Sequence, residues 1–216
     1  MIEVDRVMIE ELHIELIQMM ENAGRNLARL TLALTQPDRA MVLAGSGGNG
    51  GGGLVAARHL ANAGVDVVIA TTRPRSEMAT VPAHQLDICE RMGLPVVDQP
   101  EPADVIIDAT IGYSLKGAPR GRSLDFIEAA NAARARVISL DTPSGLEVTD
   151  GTIPGACVTA DATLTLALPK LGLRHAPQVG ELFVGEISVP PSVYRSMGIE
   201  AVPDFSSSPL LHVATR

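Results

Sequence analysis

The chain has 216 residues, of which 46% are hydrophobic and only 2% aromatic, and it carries a formal net charge of -8. A negative charge without a cluster of Lys and Arg repels phosphate backbones and anionic lipids, so we expect neither nucleic acid nor a membrane surface as a partner. Because no apolar run approaches the roughly 20 residues of a membrane span and the acidic N-terminus is unlike a secretory leader, we expect a cytoplasmic protein.

The length is that of one domain, and we expect residues 1–216 to form it, with a loosely held tail over residues 203–216. Its two cysteines, Cys89 and Cys157, lack the spacing of metal ligands. We therefore expect free, buried thiols without a chemical role.

Apolar residues recur at every third or fourth position from residue 5 to about residue 35, which predicts an amphipathic helix. A short apolar strand at 41–44 then leads into a glycine-rich turn, and a helix is predicted over 54–63, ended by Gly64. From there to residue 141 the chain alternates strands with helices. The predicted strands are 65–71, 95–97, 105–111 and 137–141, and the predicted helices are 79–92 and 124–135.

This alternation calls for right-handed crossovers and a mainly parallel sheet with helices on both faces, which is the α/β class. Beyond residue 142 the pattern changes, because apolar segments at 162–168 and 182–189 predict two strands with no long helix between them. A short helix is predicted over 190–197. We expect the last strands to extend one edge of the sheet.

Seven of the nine residues from 45 to 53 are glycine, which costs chain entropy unless the backbone must approach something closely. We expect a ligand there, because free amide groups at the start of the helix at Leu54 would face a phosphate and the helix dipole would add to the attraction. The alternative is a tight or mobile turn between a strand and a helix.

Gly45, Gly47 and Gly50 also match the dinucleotide fingerprint of a Rossmann domain, which makes an NAD(P)-dependent oxidoreductase a second hypothesis. Such an enzyme should have a proton donor, for example a Tyr and a Lys four residues apart on a helix. Tyr113 and Lys116 are three apart in a glycine-containing loop. The oxidoreductase therefore ranks second.

Asp108 and Asp141 each end a predicted parallel strand, so both are expected at the carboxyl edge of the sheet beside the glycines. Either could instead cap a turn or a helix. Asn49, Asp108 and Ser144 would together offer hard oxygen ligands, which favour an alkali or alkaline-earth ion over zinc. Lys170 follows another apolar strand, where a surface position and a catalytic role are both open.

Five short motifs follow one another along the chain: Met-Met-Glu-Asn-Ala-Gly at 19–24, the glycine loop followed by Leu-Val-Ala-Ala-Arg-His-Leu at 54–60, Asp-Ala-Thr-Ile-Gly at 108–112, Asp-Thr-Pro-Ser-Gly at 141–145 and Pro-Lys-Leu-Gly-Leu at 169–173. In this order they resemble the NAD(P)HX epimerases, also called the YjeF N-terminal domain, from about residue 5 to about residue 198. Five motifs in register are far more specific than any one of them.

The resemblance implies a three-layer Rossmann-like domain that interconverts the R and S epimers of hydrated NADH or NADPH, so that a dehydratase can repair both. The family often occurs fused to that dehydratase. The present chain is too short to contain one, so we expect the dehydratase to be a separate partner. A homodimer is implied too, with Ile17, Met19 and Met20 as candidates for its contact surface.

By position, the resemblance implies a potassium ion bound by Asn49, Asp108 and Ser144. Asp141 is the candidate acid and base for removing and returning the hydroxyl group of the substrate, and Lys170 would set its charge state or contact phosphate. The implied substrate contacts are Gly48, Asn49, Gly50, Gly51, Gly52, Gly112, Tyr113, Ser114, Leu115, Lys116, Gly117, Ala118 and Asp141.

The glycine loop departs from the family's usual Gly-Pro-Gly-Asn-Asn-Gly-Gly-Asp-Gly. Ser46, Gly48 and Gly52 stand at the Pro, first Asn and Asp positions, whereas Asn49 remains. One amide and one carboxylate are therefore missing. A nucleotide-binding module of the same fold without catalysis is an alternative to the epimerase.

Overall fold

An eight-stranded sheet forms the centre of the molecule in the computed structural model, which describes residues 2–214. Its strands are β1 (Arg39–Ala44), β2 (Asp66–Thr71), β3 (Val96–Val97), β4 (Val105–Ala109), β5 (Arg136–Leu140), β6 (Ala162–Leu166), β7 (Glu181–Gly185) and β8 (Leu210–Val213). They lie in the order β3-β2-β1-β4-β5-β6-β7-β8, and all pairs are parallel except β7 with β8. The mainly parallel sheet with an extended edge is confirmed.

Helices connect the strands and cover both faces of the sheet. They are α1 (Ile2–Arg6), which continues as a π-helical segment over Val7–Glu11, α2 (Leu16–Thr35), α3 (Gly48–Asn62), α4 (Thr80–Arg91), α5 (Arg122–Ala132) and α6 (Pro191–Ser196). Short 3-10 turns lie at Arg75–Glu77, Leu171–Leu173 and Pro177–Val179. Within residues 2–214, no helix has both the length and the apolar character needed to cross a membrane.

Successive side chains of β1 alternate between two buried layers, as expected for a strand that is covered on both faces. Val42 belongs to the apolar core that includes Leu54 of α3. Met41 belongs to the core on the other face, which includes Phe126 and Ile127 of α5. The fold is therefore the predicted three-layer α/β sandwich.

The N-terminal segment is two helical pieces with a break between them, and the prediction of one helix from residue 5 to residue 35 is wrong. His13 in the break has a φ of 55°, in the left-handed region. Glu15 and Gln18 then form a capping box at the start of α2. Both pieces contribute to one apolar cluster, which includes Met8 and Met19, so the apolar spacing continues across the break and conceals it.

Helix α3 begins inside the glycine loop at Gly48, and the prediction that it starts at Leu54 is wrong. This part of the helix consists of glycines because its inner side lies too close to neighbouring atoms to leave room for side chains. A Cβ atom on Gly53 would lie only 2.4 Å from Cβ of Ala109 in β4. The glycine run is therefore required for packing, and it brings the start of α3 to the ends of β1 and β4.

The prediction of a loosely held tail from residue 203 is wrong where β8 pairs with β7. The His212 ring packs against Phe183, with the ring centroids 4.9 Å apart. The added strand covers the edge of β7, which would otherwise expose unpaired backbone groups. Residues 215 and 216 of that predicted tail lie outside the described residues.

Both cysteines are free thiols, as predicted. Cys89 is buried, whereas Cys157 is only half-buried, which corrects the expectation that both are buried. Burial raises the pKa of Cys89 to about 11 and that of Cys157 to about 12. Both therefore stay protonated at neutral pH, and neither is activated as a nucleophile.

Gly53→Ala should destabilise the fold, because the new methyl group overlaps the Ala109 side chain. Overpacking of this kind costs about 1–3 kcal/mol, which a urea titration detects as a lower midpoint with an unchanged slope. Gly48→Ala is the matched control in the same helix, since nothing lies within 4 Å of its added Cβ atom. Equal midpoints for the two variants would contradict the packing argument.

Candidate active site

A cavity of about 620 Å³ opens at the carboxyl ends of the parallel strands. The chain runs outward from β1 to β2 and β3 and then returns to β4 on the other side of β1, so the cavity lies where the strand order reverses. Its lining includes Ser46 after β1, Thr110 after β4 and Asp141 after β5. The volume is within the roughly 300–1,000 Å³ typical of small-molecule sites.

Asp141 and Lys170 form a buried ion pair beside the cavity. Lys170 Nζ lies 2.5 Å from Asp141 Oδ1 and also donates hydrogen bonds to Thr165 Oγ1 at 2.8 Å and to the Leu166 carbonyl at 3.0 Å. The side chains of Lys170 and Asp141 are only 7% and 4% exposed. All three ammonium hydrogens therefore have acceptors, and Lys170 is not the surface residue that the sequence left open.

The backbone at Asp141 is in the left-handed region, with a φ of 66°. Directly after β5, the Asp141 amide donates to the Leu164 carbonyl of β6 at 2.7 Å. On the side chain, Oδ2 accepts a hydrogen bond from the Tyr113 amide at 2.9 Å. A non-glycine residue in this conformation costs of order 1–3 kcal/mol, and such strain is found mainly at functional sites.

Asp108 is fully buried and has no cationic partner among residues 2–214. Its Oδ1 accepts a hydrogen bond from the Ser144 hydroxyl at 2.6 Å, and its Oδ2 accepts from the Ser139 hydroxyl at 2.9 Å and the Ser144 amide at 2.8 Å. Burial raises the pKa of this carboxyl, and the hydrogen bonds oppose that rise. A bound cation would stabilise a carboxylate in such surroundings.

Asn49 lies in the first turn of α3 and lines the cavity. Its amide nitrogen is buried and makes no hydrogen bond within the described chain. A Cβ atom on Gly112 would lie 3.1 Å from Asn49 Cγ and 3.1 Å from Asp141 Oδ2. Asn49 and Asp141 therefore approach each other across a glycine, and the Asn49 amide is available to a ligand.

About half of the substrate contacts expected from the sequence line the cavity. These are Gly48, Asn49, Gly52, Gly112, Tyr113, Ser114 and Asp141. Gly50 and Gly51 are buried behind the lining, where they pack against Gly45 and Met20. The expected contacts that lie beyond the lining in the following loop are Leu115, Lys116, Gly117 and Ala118.

The N-terminal side of the cavity was not predicted from the sequence. The Tyr113 phenol donates a 2.7 Å hydrogen bond to Asp5 Oδ2, and Asp5 itself lines the cavity. Since Lys116 is exposed, it does not form the Tyr and Lys pair of an oxidoreductase with Tyr113. The other lining residues that were not expected as contacts are Ile9, Leu16, Met19, Met20, Ala23, Ser46, Gly47, Thr72, Thr110, Ile111, Ser123, Leu140, Leu166 and Ile187.

No local signal in the sequence marks Asp5 as a site residue. It is one of several acidic residues in an amphipathic segment, and 108 positions separate it from Tyr113. Only the docking of α1 against the loop after β4 brings the two side chains together.

Gly52, where the glycine loop lacks a carboxylate, lies against a side chain from the sheet. A Cβ atom on Gly52 would lie 2.6 Å from Leu140 Cδ2. The leucine therefore occupies the space in which a side chain at position 52 would begin. Both residues line the cavity, so this part of its surface is apolar.

Residues 16–172 match the family model described as YjeF-related protein N-terminus. The NAD(P)H-hydrate epimerase of Dehalogenimonas lykanthroporepellens is 48% identical over 207 residues, which cover 92% of this chain and 83% of that relative. The bifunctional NAD(P)H-hydrate repair enzyme Nnr of Hyperthermus butylicus is 42% identical, over 88% of this chain but only 37% of that relative. This chain is thus similar to one part of the bifunctional protein.

The crystal structure of yeast ynu0 has a similar fold, with a TM-score of 0.84 and 25% sequence identity. The match covers 98% of this chain and 96% of the yeast chain. The similarity therefore extends beyond the segment that the family model matches, to the N-terminal helices and the last strands.

Lys170→Met should destabilise the protein by about 3–5 kcal/mol, because it leaves the buried Asp141 carboxylate without its counter-charge. The double variant Lys170→Met/Asp141→Asn should recover most of this loss, since it removes both charges. Urea titrations measure both effects.

Arg91→Met is the control for this prediction, because it breaks an ion pair with Asp87 in which the arginine is 78% exposed. Its effect on the urea midpoint should be much smaller than that of Lys170→Met, because solvent screens an exposed pair. If Lys170→Met changed stability no more than Arg91→Met does, the argument for a tightly coupled buried pair would fail.

Proposed function

The chain belongs to the YjeF N-terminal family, and on that basis we propose that it is an NAD(P)H-hydrate epimerase, an isomerase that interconverts the R and S forms of hydrated NADH and NADPH. One observation carries the proposal. The buried Asp141–Lys170 pair lies at a cavity large enough for the hydrated nicotinamide end of a dinucleotide.

The reaction needs groups that move protons to and from an oxygen atom. The substrate carries a hydroxyl group on the ring carbon next to the ring nitrogen, so hydroxide can leave with the help of the nitrogen lone pair. Water can then return to either face of the resulting cation. A proton donor for the leaving oxygen and a proton acceptor for the incoming water are the minimum equipment.

Asp141 is our candidate for this proton transfer, because its carboxylate lines the cavity. Lys170 neutralises its charge through Oδ1, and the Tyr113 amide holds Oδ2. Lys170 itself lies behind Asp141 rather than in the cavity lining, so we assign it to neutralising and positioning Asp141 and not to contacting phosphate. Holding a catalytic group in one orientation lowers the barrier by removing its conformational search.

The start of α3 is the site that we propose for the phosphate groups of the substrate. Gly47 and Gly48 are exposed, and a Cβ atom on either would meet nothing within 4 Å. The amide groups of the first helical turn are therefore open to an anion, which the helix dipole also attracts.

We also propose a potassium ion held by Asn49, Asp108 and Ser144. Their chemistry fits such an ion, because the buried Asp108 carboxylate has no cationic partner among the described residues and accepts a hydrogen bond from the Ser144 hydroxyl, while Asn49 in the cavity lining adds an amide. Carboxylate, hydroxyl and amide oxygens are hard ligands. When bound, the ion would offset the charge of Asp108. Ser144 also accepts a hydrogen bond from the Ile111 amide at 2.8 Å, which links Ser144 to the loop after β4 that we expect to contact the substrate.

The partners that we propose are a separate NAD(P)H-hydrate dehydratase and a second copy of this chain. The bifunctional relative carries repair functions in one protein, and this chain aligns with only part of it. We place the enzyme in the cytoplasm, a reducing compartment in which its two thiols would remain free.

The expected dimer surface needs a correction. Met19 and Met20 are only 3% and 4% exposed within the chain, so they belong to the interior. Ile17 is 36% exposed, and Leu12 and Leu16 are 42% and 37% exposed. Leu16 lines the cavity, so we propose the homodimer contact at Leu12 and Ile17, because association would remove their apolar surface from water.

A nucleotide-binding module without catalysis is the second candidate. Gly48 and Gly52 offer no side chain to the substrate, and Leu140 fills the space beside Gly52. The intact Asp141–Lys170 pair favours the epimerase, since a module that only binds nucleotide has no need of a strained, buried ion pair.

Asp141→Asn should abolish epimerisation while nucleotide binding, measured by thermal shift, remains. The assay combines the protein with a dehydratase specific for one epimer, supplies both epimers of NADHX or NADPHX, and follows consumption of the other epimer. The wild type should exceed the spontaneous rate, and the acceleration by the variant should be at least about 100-fold smaller.

Glu128→Gln is the control, because Glu128 is an exposed carboxylate outside the cavity. Full turnover by Asp141→Asn would remove Asp141 from the mechanism. No acceleration by the wild type, with nucleotide binding retained, would favour the binding module.

Potassium chloride should raise the Tm of the wild type above its value in choline chloride of equal ionic strength, because a specific ion stabilises the state that binds it. Asp108→Asn should lose this difference, whereas Glu128→Gln should keep it. The measurement needs no substrate. A potassium-dependent shift that persists in Asp108→Asn would place the ion elsewhere.

A further inference from the structure

Among residues 2–214, the titratable side chains that line the cavity are Asp5, Tyr113 and Asp141, and they are connected. The Tyr113 phenol donates to Asp5 Oδ2 at 2.7 Å, and the Tyr113 amide donates to Asp141 Oδ2 at 2.9 Å. The side chain of Tyr113 is therefore bonded to one carboxyl group, and its backbone amide is bonded to the other. Asp5 comes from α1, and Asp141 comes from the carboxyl end of β5.

From this arrangement we infer that Asp5 is a second proton-transfer residue, acting on the face of the substrate ring opposite to Asp141. The inference rests on the proposed epimerase function. Water must leave from one face of the ring and return to the other, and a carboxyl group on one side reaches only one of these positions. Two carboxyl groups on different walls of the cavity serve both steps.

In one direction, Asp5 gives its proton to the hydroxyl group as the carbon–oxygen bond breaks, and the ring-nitrogen lone pair forms a carbon–nitrogen double bond. A water molecule on the Asp141 side then adds to the same carbon. Asp141 takes a proton from this water while the double-bond electrons return to nitrogen. One water has left, one has been added and one proton has moved from Asp5 to Asp141, and proton exchange with solvent then restores the starting enzyme. The reverse reaction exchanges their roles.

The step described needs an acid at Asp5 and a base at Asp141, and the surroundings of the two carboxyl groups differ accordingly. Asp141 lies 2.5 Å from the Lys170 ammonium, which neutralises a negative charge there. Burial raises the pKa of Asp5, the hydrogen bond from Tyr113 opposes that rise, and the charges of Asp141 and Lys170 act on it in opposite directions. Two carboxyl groups in such different environments can divide the acid and base roles between them.

Tyr113 is the spacer in this arrangement, and its phenol is not the acid. Burial raises the pKa of the phenol, and the hydrogen bond to Asp5 raises it further, so the phenol keeps its proton. Its contact occupies Asp5 Oδ2. The other oxygen, Oδ1, makes no hydrogen bond to any residue in the described range, which leaves it for the substrate.

The test compares Asp5→Asn, Tyr113→Phe and Glu3→Gln in the coupled epimerase assay. Asp5→Asn should lower kcat by about 100-fold or more with little change in KM, since it removes a proton-transfer group and leaves the shape of the cavity. Tyr113→Phe removes only the anchoring hydroxyl group, so its loss should stay below about tenfold. Glu3→Gln changes an exposed carboxyl group on the same helix and should leave kcat unaltered.

A kcat for Asp5→Asn within about threefold of the wild type would overturn the inference. Equal losses in Asp5→Asn and Tyr113→Phe would also overturn it, because Asp5 would then act only by anchoring the loop. A wild type without any epimerase activity would overturn the proposed function itself, which is a distinct result.

Asp5→Ala with added sodium formate is the second measurement, and it applies even if Asp5→Asn folds poorly. If Asp5 transfers protons, a small carboxylic acid that enters the space left by the side chain should raise the rate of the variant at least about tenfold. Sodium chloride at the same concentration is the control. No rescue by formate, in a variant whose nucleotide binding is intact, would contradict the inference.

Discussion

The close approach of α3 to the sheet is the constraint on which the rest of the structure depends. Gly53 of this helix lies so near Ala109 of β4, and Gly50 so near the Gly45 backbone, that no side chain fits between them. Gly24 of α2 lies equally close to α3 on its outer side. Backbone therefore meets backbone or a short side chain along the contact. The first turn of α3 is thereby held at the point where the strand order reverses, with its amide groups open to a ligand.

Two carboxyl groups are buried at this edge of the sheet, and the protein stabilises them by different means. Asp141 has a lysine ammonium within 2.5 Å, whereas Asp108 has only hydroxyl and amide donors. Both stand at the ends of neighbouring strands, β4 and β5. The neutralised carboxyl lines the cavity and is suited to proton transfer, and the one without a counter-charge is suited to binding a cation. Local electrostatics, not position along the strand, separates these roles.

The N-terminal helices complete the cavity from the side away from the sheet. Leu16 and Met20 add apolar surface to its lining, and Asp5 adds a carboxyl group through its contact with Tyr113. The same fold with the same glycine fingerprint supports oxidoreductases, so the fold alone does not define the reaction. In the proposed function, the chemistry depends on Asp141, on Lys170 and on the side chains that hold them.

The sequence by itself determined the α/β class, the positions of the main strands along the chain, the parallel sheet and the two strand-end aspartates. These follow from local periodicity and from the rule that parallel strands share one carboxyl edge. It also indicated the glycine loop as a ligand site. Lys170 remained ambiguous, since burial of a lysine depends on a partner that sequence spacing does not reveal.

Only the tertiary structure decided where α3 begins, where the N-terminal helix breaks, that β8 closes the sheet edge, and that Asp5 reaches the cavity. Each of these depends on contacts between residues far apart in the chain. The glycines from Gly48 onwards are helical because Ala109 and Leu140 lie against them, although glycine alone disfavours a helix. The Asp5–Tyr113 bond joins residues 108 positions apart. Local propensities depend only on neighbouring residues in the chain, so they carry no information about such contacts. Packing against distant residues can override them.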